Sequence, residues 1–337
     1  MDQIVLEQPG RFAQMTAARP AVGRGEILVR VHRIGVCGTD LHAFAGRQPF
    51  FEYPRVLGHE LGVEVVELGE AVRGVSVGDR GAVEPYLHCG ACGACGRGRT
   101  NCCEKLKVLG VHIDGGMRPW LAVPAGKLHC STRLSFDQLA LVETLAIGAH
   151  GVERGQPAAG EHVLVAGAGP IGLGAIQFAQ AAGADVAVLD VSEPRRRFCE
   201  QTLGVTRTFD ATDDLPDRLR RHFGDLPTLV IDATGHAGSM QRCFELTGHG
   251  GRIVFLGLFK GELTFDDPNF HKRELTLLAS RNATASTFAH VIAEVEAGRV
   301  DTTPWITHRL ALTEVPAQFA NLAGQANLLK AMIEVKA

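Results

Sequence analysis

Charge of one sign, unbroken apolar stretches and aromatic side chains are all scarce in this sequence. Lysine and arginine number 34 against 37 aspartates and glutamates, a formal net charge of −3. A balance that near neutrality leaves no electrostatic footprint for nucleic acid. The most apolar stretch, His162 to Leu189, is broken by Gly167, Gly169, Pro170, Gly172, Gln177, Gln180 and Asp185. That punctuation argues against a membrane span. Met1 to Phe12 holds only the apolar triplet Ile4, Val5, Leu6, too short for a secretory h-region. The expected compartment is therefore the cytoplasm, where thiols stay reduced. Aromatics make up 6% of residues. No internal repeat and no low-complexity tract is visible. A hydrophobic fraction of 45% with little net charge excludes a disordered chain.

At roughly 150 residues per domain, 337 residues make about two domains, enough for a sizeable core. Forty glycines, about 12% against a usual ~7%, show no three-residue period, so they read as tight turns and not as collagen. Up to about residue 145, short alternating or apolar runs (Ile27–His32, Gly62–Leu68, Arg80–Glu84) lie between Gly, Pro and Asp turns and read as strands. From about 150 the texture changes. Strands are expected at Val163–Ala166, Val186–Asp190, Leu229–Thr234, Arg252–Leu256 and Leu275–Ser280. Helices are expected at Pro170–Ala182, Glu193–Leu203 and Gly238–Thr247. Alternation of this kind implies βαβ units and a parallel sheet. After about 286, the helix Phe288–Ala297 and short elements ending in Leu328–Val335 are too few for a domain. They are expected to pack back on the first segment.

Two local patterns point to chemistry. Gly167, Gly169 and Gly172 form G-x-G-x-x-G between an expected strand and an expected helix. Glycines there permit a tight turn and close approach of backbone to a pyrophosphate, and the helix N-terminus supplies N–H donors. Asp190 ends the next strand 18 residues after Gly172. Its carboxylate suits the ribose hydroxyls of NAD and repels the 2′-phosphate of NADP. Pro170 and Ile171 inside the turn, and Thr234, are counted with this cofactor-binding set. Arg195 reads equally as an adenine contact or as part of a solvated helix face with Arg196 and Arg197. The second pattern is Cys89-x2-Cys92-x2-Cys95-x7-Cys103, in a glycine-rich loop. Four thiolates so close satisfy tetrahedral Zn2+. An iron–sulfur cluster is the competing reading, reduced thiols without metal the plain one, and Cys102 beside Cys103 leaves the register of the fourth ligand open.

Cys37, Gly38, Thr39 and Asp40 with His42 two residues on, and the triplet Gly58, His59, Glu60, are unremarkable singly. Together with the glycine turn and the cysteine loop, they occur in the motif order of one family. Essentially along its whole length the chain resembles the zinc-dependent medium-chain dehydrogenases. The resemblance implies an α/β protein of three segments. Residues 1–148 are a β-rich GroES-like catalytic domain with a zinc lobe at about 88–104. Residues 149–286 are a Rossmann domain with a doubly wound parallel sheet, and residues 287–337 return to the catalytic domain. It implies two zinc ions per chain, one catalytic and one structural, with NAD as cofactor. Cys103, not Cys102, becomes the fourth lobe ligand. Cys37 and His59 become ligands of the catalytic zinc, with Glu60 and Glu143 both candidates for the carboxylate beside it. Thr39 takes a proton from the substrate hydroxyl and His42 passes it to solvent, a relay that suits imidazole; a structural, hydrogen-bonded histidine is the alternative for His42. Two positions depart from the family pattern: Thr144 stands where proline usually follows the Glu143 position, and Val63 where glycine is usual, with Gly62 displaced by one.

The implied reaction is hydride transfer from a secondary alcohol to NAD+. A zinc-free reductase of the same fold lacks Cys37, His59 and the cysteine lobe, and a structural protein on this scaffold has no need of them. Val108–Gly116, Ser280–Asn282 and Trp305–Arg309 carry a closer similarity to the polyol and sugar-acid branch, which includes sorbitol and galactonate dehydrogenases. L-threonine and small alcohols are the competing substrates. Arg281 and His112 are the candidate substrate contacts, each with a surface reading beside it. The expected partners are a small polyol or sugar acid and further copies of the chain in a homotetramer or homodimer, with no nucleic acid and no membrane.

Overall fold

The computed structural model describes all residues except 49, 50, 323, 326 and 337. The chain divides into two compact units, Met1–Thr144 with Thr284–Ala337, and Leu145–Ala283.

The second unit is built on six parallel strands. Their spatial order is Arg207–Phe209, Asp185–Leu189, His162–Ala166, Leu229–Asp232, Arg252–Phe255, Thr276–Ala279. In chain order that is third, second, first, fourth, fifth, sixth, the doubly wound arrangement. Val163, Leu164, Val165 and Ala166 are all fully buried, as befits a strand covered on both faces. Helices Pro170–Ala181, Glu193–Thr202, Leu215–Phe223 and Ala237–Leu246 lie between the strands in sequence. The first three carry proline in their first turn, where its missing N–H costs nothing. The strands and helices expected here appear within a residue or two of their expected ends. Leu215–Phe223 and the edge strand Arg207–Phe209 are additions. Four strands also stop short: those expected to end at Asp190, Thr234 and Leu256 close at Leu189, Asp232 and Phe255, and the one expected at Leu275–Ser280 covers Thr276–Ala279.

In the first unit the central element is Glu26–Gly35. On one side it pairs with Glu60–Leu68, followed by Arg80–Val83 and Leu128–Cys130. Its other edge is shared. Trp120–Pro124 pairs with residues 26–30, and Lys330–Glu334 pairs with residues 33–35. Ile306–Ala311 extends the sheet parallel to Lys330–Glu334. The last strand of the chain therefore lies two places from Glu60, with one strand between. The core packs Ile27, Val29, Val31, Val63 and Val65 with Leu57, Leu61, Phe319 and Ile333.

The long helix Phe136–Gly155 has no counterpart among the sequence expectations. Leu139, Ala140, Leu141, Val142, Leu145 and Ala146 are all buried, so its sequence lacks the one-sided pattern by which a helix is recognised. Gly62 admits its first turn. A Cβ on Gly62 would lie 2.2 Å from the Phe136 carbonyl oxygen. The glycine displaced by one from the family pattern thus serves close packing of this helix, with Val63 buried next to it.

Candidate active site

The cysteine loop is organised by short local elements, the turn of helix Gly93–Gly96 and the 3-10 turn Thr100–Cys102. One sulfur from each of Cys89, Cys92, Cys95 and Cys103 falls within 4.8 Å of all the others. The Cys92 and Cys95 sulfurs are 3.5 Å apart. Cys103 Sγ accepts backbone N–H bonds from Cys89 at 3.3 Å and Lys105 at 3.4 Å. N–H groups of Cys95 and Glu104 favour the Cys92 thiolate and bring its pKa down to about 6. Cys102 is exposed and outside the set. Four clustered sulfurs with N–H support fit a tetrahedral zinc site closed to other ligands.

A second set lies inside the same unit. Cys37 precedes the short helix Gly38–Phe44, and His59 immediately precedes the strand Glu60–Leu68, which Glu60 opens. Donor atoms of Cys37, His59 and Glu60 lie within 4.8 Å of one another. His59 and Glu60 are buried and Cys37 is half-buried. Burial by itself would lower the His59 pKa. The Cys37 sulfur, Asp40 and Glu143 beside it outweigh that and hold it well above its usual value. Asp40 Oδ2 accepts the Cys37 N–H at 2.9 Å. Asp40 Oδ1 and His59 Nδ1 face each other at 3.8 Å, both buried and without a hydrogen-bond partner among the described residues. An excess of anionic groups around a thiol and an imidazole fits a bound divalent cation.

Glu60 in this set, and Glu143, which lies outside the set of three but close to His59, both have partners that sequence reasoning missed. Glu143 Oε1 accepts a short hydrogen bond from the Tyr86 hydroxyl, and both side chains are buried. Burial raises the Glu143 pKa; His59, Tyr86 and Lys330 act against it. Glu60 is 1% exposed and pairs with Lys330, itself 2% exposed. Lys330 Nζ lies 2.6 Å from Oε1 and 2.5 Å from Oε2, and donates to Thr144 Oγ1 at 3.2 Å. The hint in the sequence is a lysine interrupting an otherwise apolar run, Leu328 to Ile333. Tyr86 carries no such mark.

In the second unit Gly167 adopts φ +94°, and a Cβ on Gly172 would lie 1.8 Å from the Gly167 carbonyl oxygen. Only glycine permits this turn. A Cβ on Gly167 would meet Thr234 Cγ2 at 3.0 Å, so Thr234 adjoins the turn. Asp232 anchors Thr234, accepting its N–H at 3.0 Å and its hydroxyl at 2.8 Å. Asp190 is buried at the strand end, and its carboxylate accepts N–H bonds from Ala168 and Ser192, each 2.7 Å. Arg195 is half-buried, with Nη1 3.9 Å from where a Gly169 Cβ would stand, so its guanidinium lies against the glycine turn. Arg197 instead pairs with Glu193 on the surface. The open turn, with Pro170 and Ile171 starting the helix, fits a pyrophosphate.

Thr39 is half-buried and His42 exposed, three residues apart on Gly38–Phe44. His112 is exposed, and its Nδ1 accepts the Val108 N–H at 3.1 Å. Asp114 in the same loop accepts the Val56 N–H at 3.1 Å, a structural tie. Arg281 is exposed and follows the strand Thr276–Ala279.

Family models agree with this arrangement. Residues 23–132 match the alcohol dehydrogenase GroES-like domain and residues 170–297 the zinc-binding dehydrogenase domain. The chain is 45% identical over 310 residues to L-galactonate-5-dehydrogenase of Escherichia coli (strain K12), covering 92% of this chain and 91% of that one. The chain belongs to the zinc-dependent dehydrogenases. This dehydrogenase is also 32% identical over 316 residues to 2-dehydro-3-deoxy-L-galactonate 5-dehydrogenase of Pseudoalteromonas atlantica, covering 93% and 92% of the two chains. Among solved structures it is similar to rspB of E. coli CFT073 complexed with NADH, with TM-score 0.93, 30% identity and 99% of each chain covered. The dehydrogenase is thus an enzyme of zinc and nicotinamide chemistry, with a GroES-like and a Rossmann-type unit.

Proposed function

We propose that this dehydrogenase oxidises a secondary alcohol of a sugar acid or polyol, with NAD+ as hydride acceptor and two zinc ions per chain. The set of half-buried Cys37 with buried His59 and Glu60 carries the reaction class. The 45% identity to L-galactonate-5-dehydrogenase supports the substrate class. When bound, zinc supplies a Lewis acid that makes a substrate hydroxyl acidic, and NAD+ supplies the hydride acceptor.

Cys37 and His59 hold the catalytic ion, with Glu60 and Glu143 the carboxylates beside it. Asp40 steers the His59 ring, and Tyr86 fixes one oxygen of Glu143. Thr39 accepts the proton of the substrate hydroxyl. His42 stands three residues along the same short helix, hence on the same face, and being exposed hands the proton to solvent. Cys89, Cys92, Cys95 and Cys103 hold the structural ion. Gly167, Gly169, Pro170, Ile171 and Gly172 take the pyrophosphate, Asp190 the adenosine ribose, and Arg195 the adenine. Thr234 adjoins the same turn. Arg281 offers a planar fork of donors for a carboxylate or a hydroxyl pair, and His112 a second substrate contact. The enzyme works as a cytoplasmic homo-oligomer, dimer or tetramer, which light scattering decides.

The test is kcat/KM over a panel of aldonates and polyols against ethanol, 2-propanol, benzyl alcohol and L-threonine. An aldonate or polyol is expected to lead, because polar groups built to hold hydroxyls are left unpaired by a plain aliphatic chain. A tenfold lead for an aliphatic alcohol or for threonine refutes the substrate class. NADP+ working as well as NAD+ refutes the role of Asp190. Asp190→Ala is expected to weaken NAD+ binding by roughly ten- to a hundredfold, the scale of a lost charge-assisted hydrogen bond.

A further inference from the structure

Lys330 has no task in the reaction as described, yet it is one of the most deeply buried charges in the molecule. It opens the strand Lys330–Glu334, and its ammonium meets both oxygens of Glu60 and the hydroxyl of Thr144. A buried ion pair is poor evidence of a stabilising device, since an apolar pair of the same volume often serves stability as well or better. Its place in the fold says more. Glu60 pairs in register with Gly35, and Gly35 pairs in register with Met332 on the far side. Lys330 stands two residues before Met332, on the same face of its strand. The Glu60 carboxylate reaches it by lying over Gly35. A Cβ at Gly35 would sit 1.9 Å from Glu60 Oε2, so the absence of a side chain there makes the seat. The third contact, Thr144, follows Glu143 directly and stands where the family usually has proline, which offers no hydroxyl.

Lys330 thus touches Glu60 itself and the residue after Glu143, the two carboxylates that flank Cys37 and His59. The Lys330 ammonium is one positive charge set against the anionic groups of the site, the Cys37 sulfur and the carboxylates of Asp40, Glu60 and Glu143. Among the described residues, Lys330 is the cation that pairs with Glu60.

We propose that Lys330 is a positioning residue of the dehydrogenase reaction: it seats the Glu60 carboxylate over Gly35 and carries its charge, so that Glu60 is not spent wholly on the metal. This rests on the reading that Cys37 and His59 hold the catalytic ion.

The test uses enzyme dialysed against chelator until inactive and then given Co2+, whose visible spectrum reports the ligands around it. Lys330→Met is expected to change the intensity and position of the cobalt bands and to lower kcat about tenfold or more, the scale of an outer partner of a metal ligand, with little change in KM. Lys330→Arg is expected to keep the wild-type spectrum and most of kcat. Gly35→Ala removes no charge but unseats the carboxylate, and is expected to shift the spectrum as Lys330→Met does; it carries the test if Lys330→Met does not fold. On a Glu60→Gln background, Lys330→Met is expected to add less than about twofold, because coupled residues are not additive. A wild-type spectrum and kcat in Lys330→Met, or an equal effect with and without Glu60, overturns the proposal. Failure of the wild-type enzyme to show a sulfur-to-cobalt band that Cys37→Ser abolishes overturns the underlying metal reading, and Lys330's role falls with it.

Discussion

The cysteine lobe and the Cys37 site lie in one unit of the fold and are assembled in opposite ways. The lobe draws its four sulfurs from the single stretch Cys89–Cys103, on two short turns, with Cys89 exposed. The inner site gathers Cys37, the adjacent His59 and Glu60, Glu143 and Lys330 from four separate places in the chain, and buries the carboxylates and the lysine in their company. The lobe has little apolar packing of its own, so on the proposed reading its order is expected to come from a bound ion. The inner site is held by the sheet and the long helix. The first kind of site ties metal to local folding and the second ties metal to activity.

The sharpest way to break this contrast is to remove an inner ligand. Cys37→Ala is expected to lower kcat/KM by about a thousandfold or more, since Lewis-acid stabilisation is worth several kcal/mol. The circular dichroism spectrum should stay native and one of two zinc ions should be lost. Retained activity, or loss of both ions together, would erase the distinction.

Next in size is the lobe. Cys103→Ser is expected to destabilise the protein by several kcal/mol and to open Cys89–Lys107 to limited proteolysis. Cys102→Ser should stay within about 0.5 kcal/mol, as a surface substitution does. Melting curves of the two variants, side by side, decide it. Chelation sharpens the same point: activity should disappear before protease sensitivity of the lobe rises.

Tyr86→Phe probes how firmly the fold holds the inner carboxylate. It removes only the hydroxyl that Glu143 accepts. A fall in kcat of about tenfold is expected, with a small change in melting temperature. An unchanged kcat would mean that Glu143 needs no such support.

The smallest effect is expected in the other unit, where no metal set lies among the described residues. Burial by itself would raise the Glu161 pKa. Hydrogen bonds from Thr228, the Ala158 N–H and Arg252 outweigh it and hold the carboxyl below its usual value. A group depressed in the folded state stabilises above its unfolded pKa, and that contribution is lost as pH falls through the folded value. Glu161→Gln should therefore cost about 1 kcal/mol at neutral pH. The difference from wild type should shrink below about pH 4. Denaturant midpoints at the two pH values read it, and zinc content should not change.

Where sequence and structure agree, the interaction is local in the chain. The glycine turn at Gly167–Gly172 needs a left-handed Gly167 and a bare Gly172 within six residues, so both are written next to each other. The cysteine spacing of the lobe is legible for the same reason. Strands of the parallel sheet are continuous apolar runs bounded by turns, which survive reading without partners. The helix Phe136–Gly155 is illegible because it is buried around much of its circumference and shows no amphipathic period. The partners of the inner carboxylates are illegible because the relation is one of register. Glu60 meets Lys330 across 270 positions of chain, brought together by three neighbouring strands.

By itself, then, the sequence determined the family, the doubly wound nucleotide unit and the sulfur lobe, and it singled out Cys37, His59 and Glu60 as an inner set, since each rests on residue types at short spacing. Tertiary structure alone decided how the inner charges are shared. A carboxylate's partner in a buried site is set by which strands lie side by side and by what a bare Gly35 leaves room for. Coulomb forces and steric exclusion act across the sheet and not along the chain.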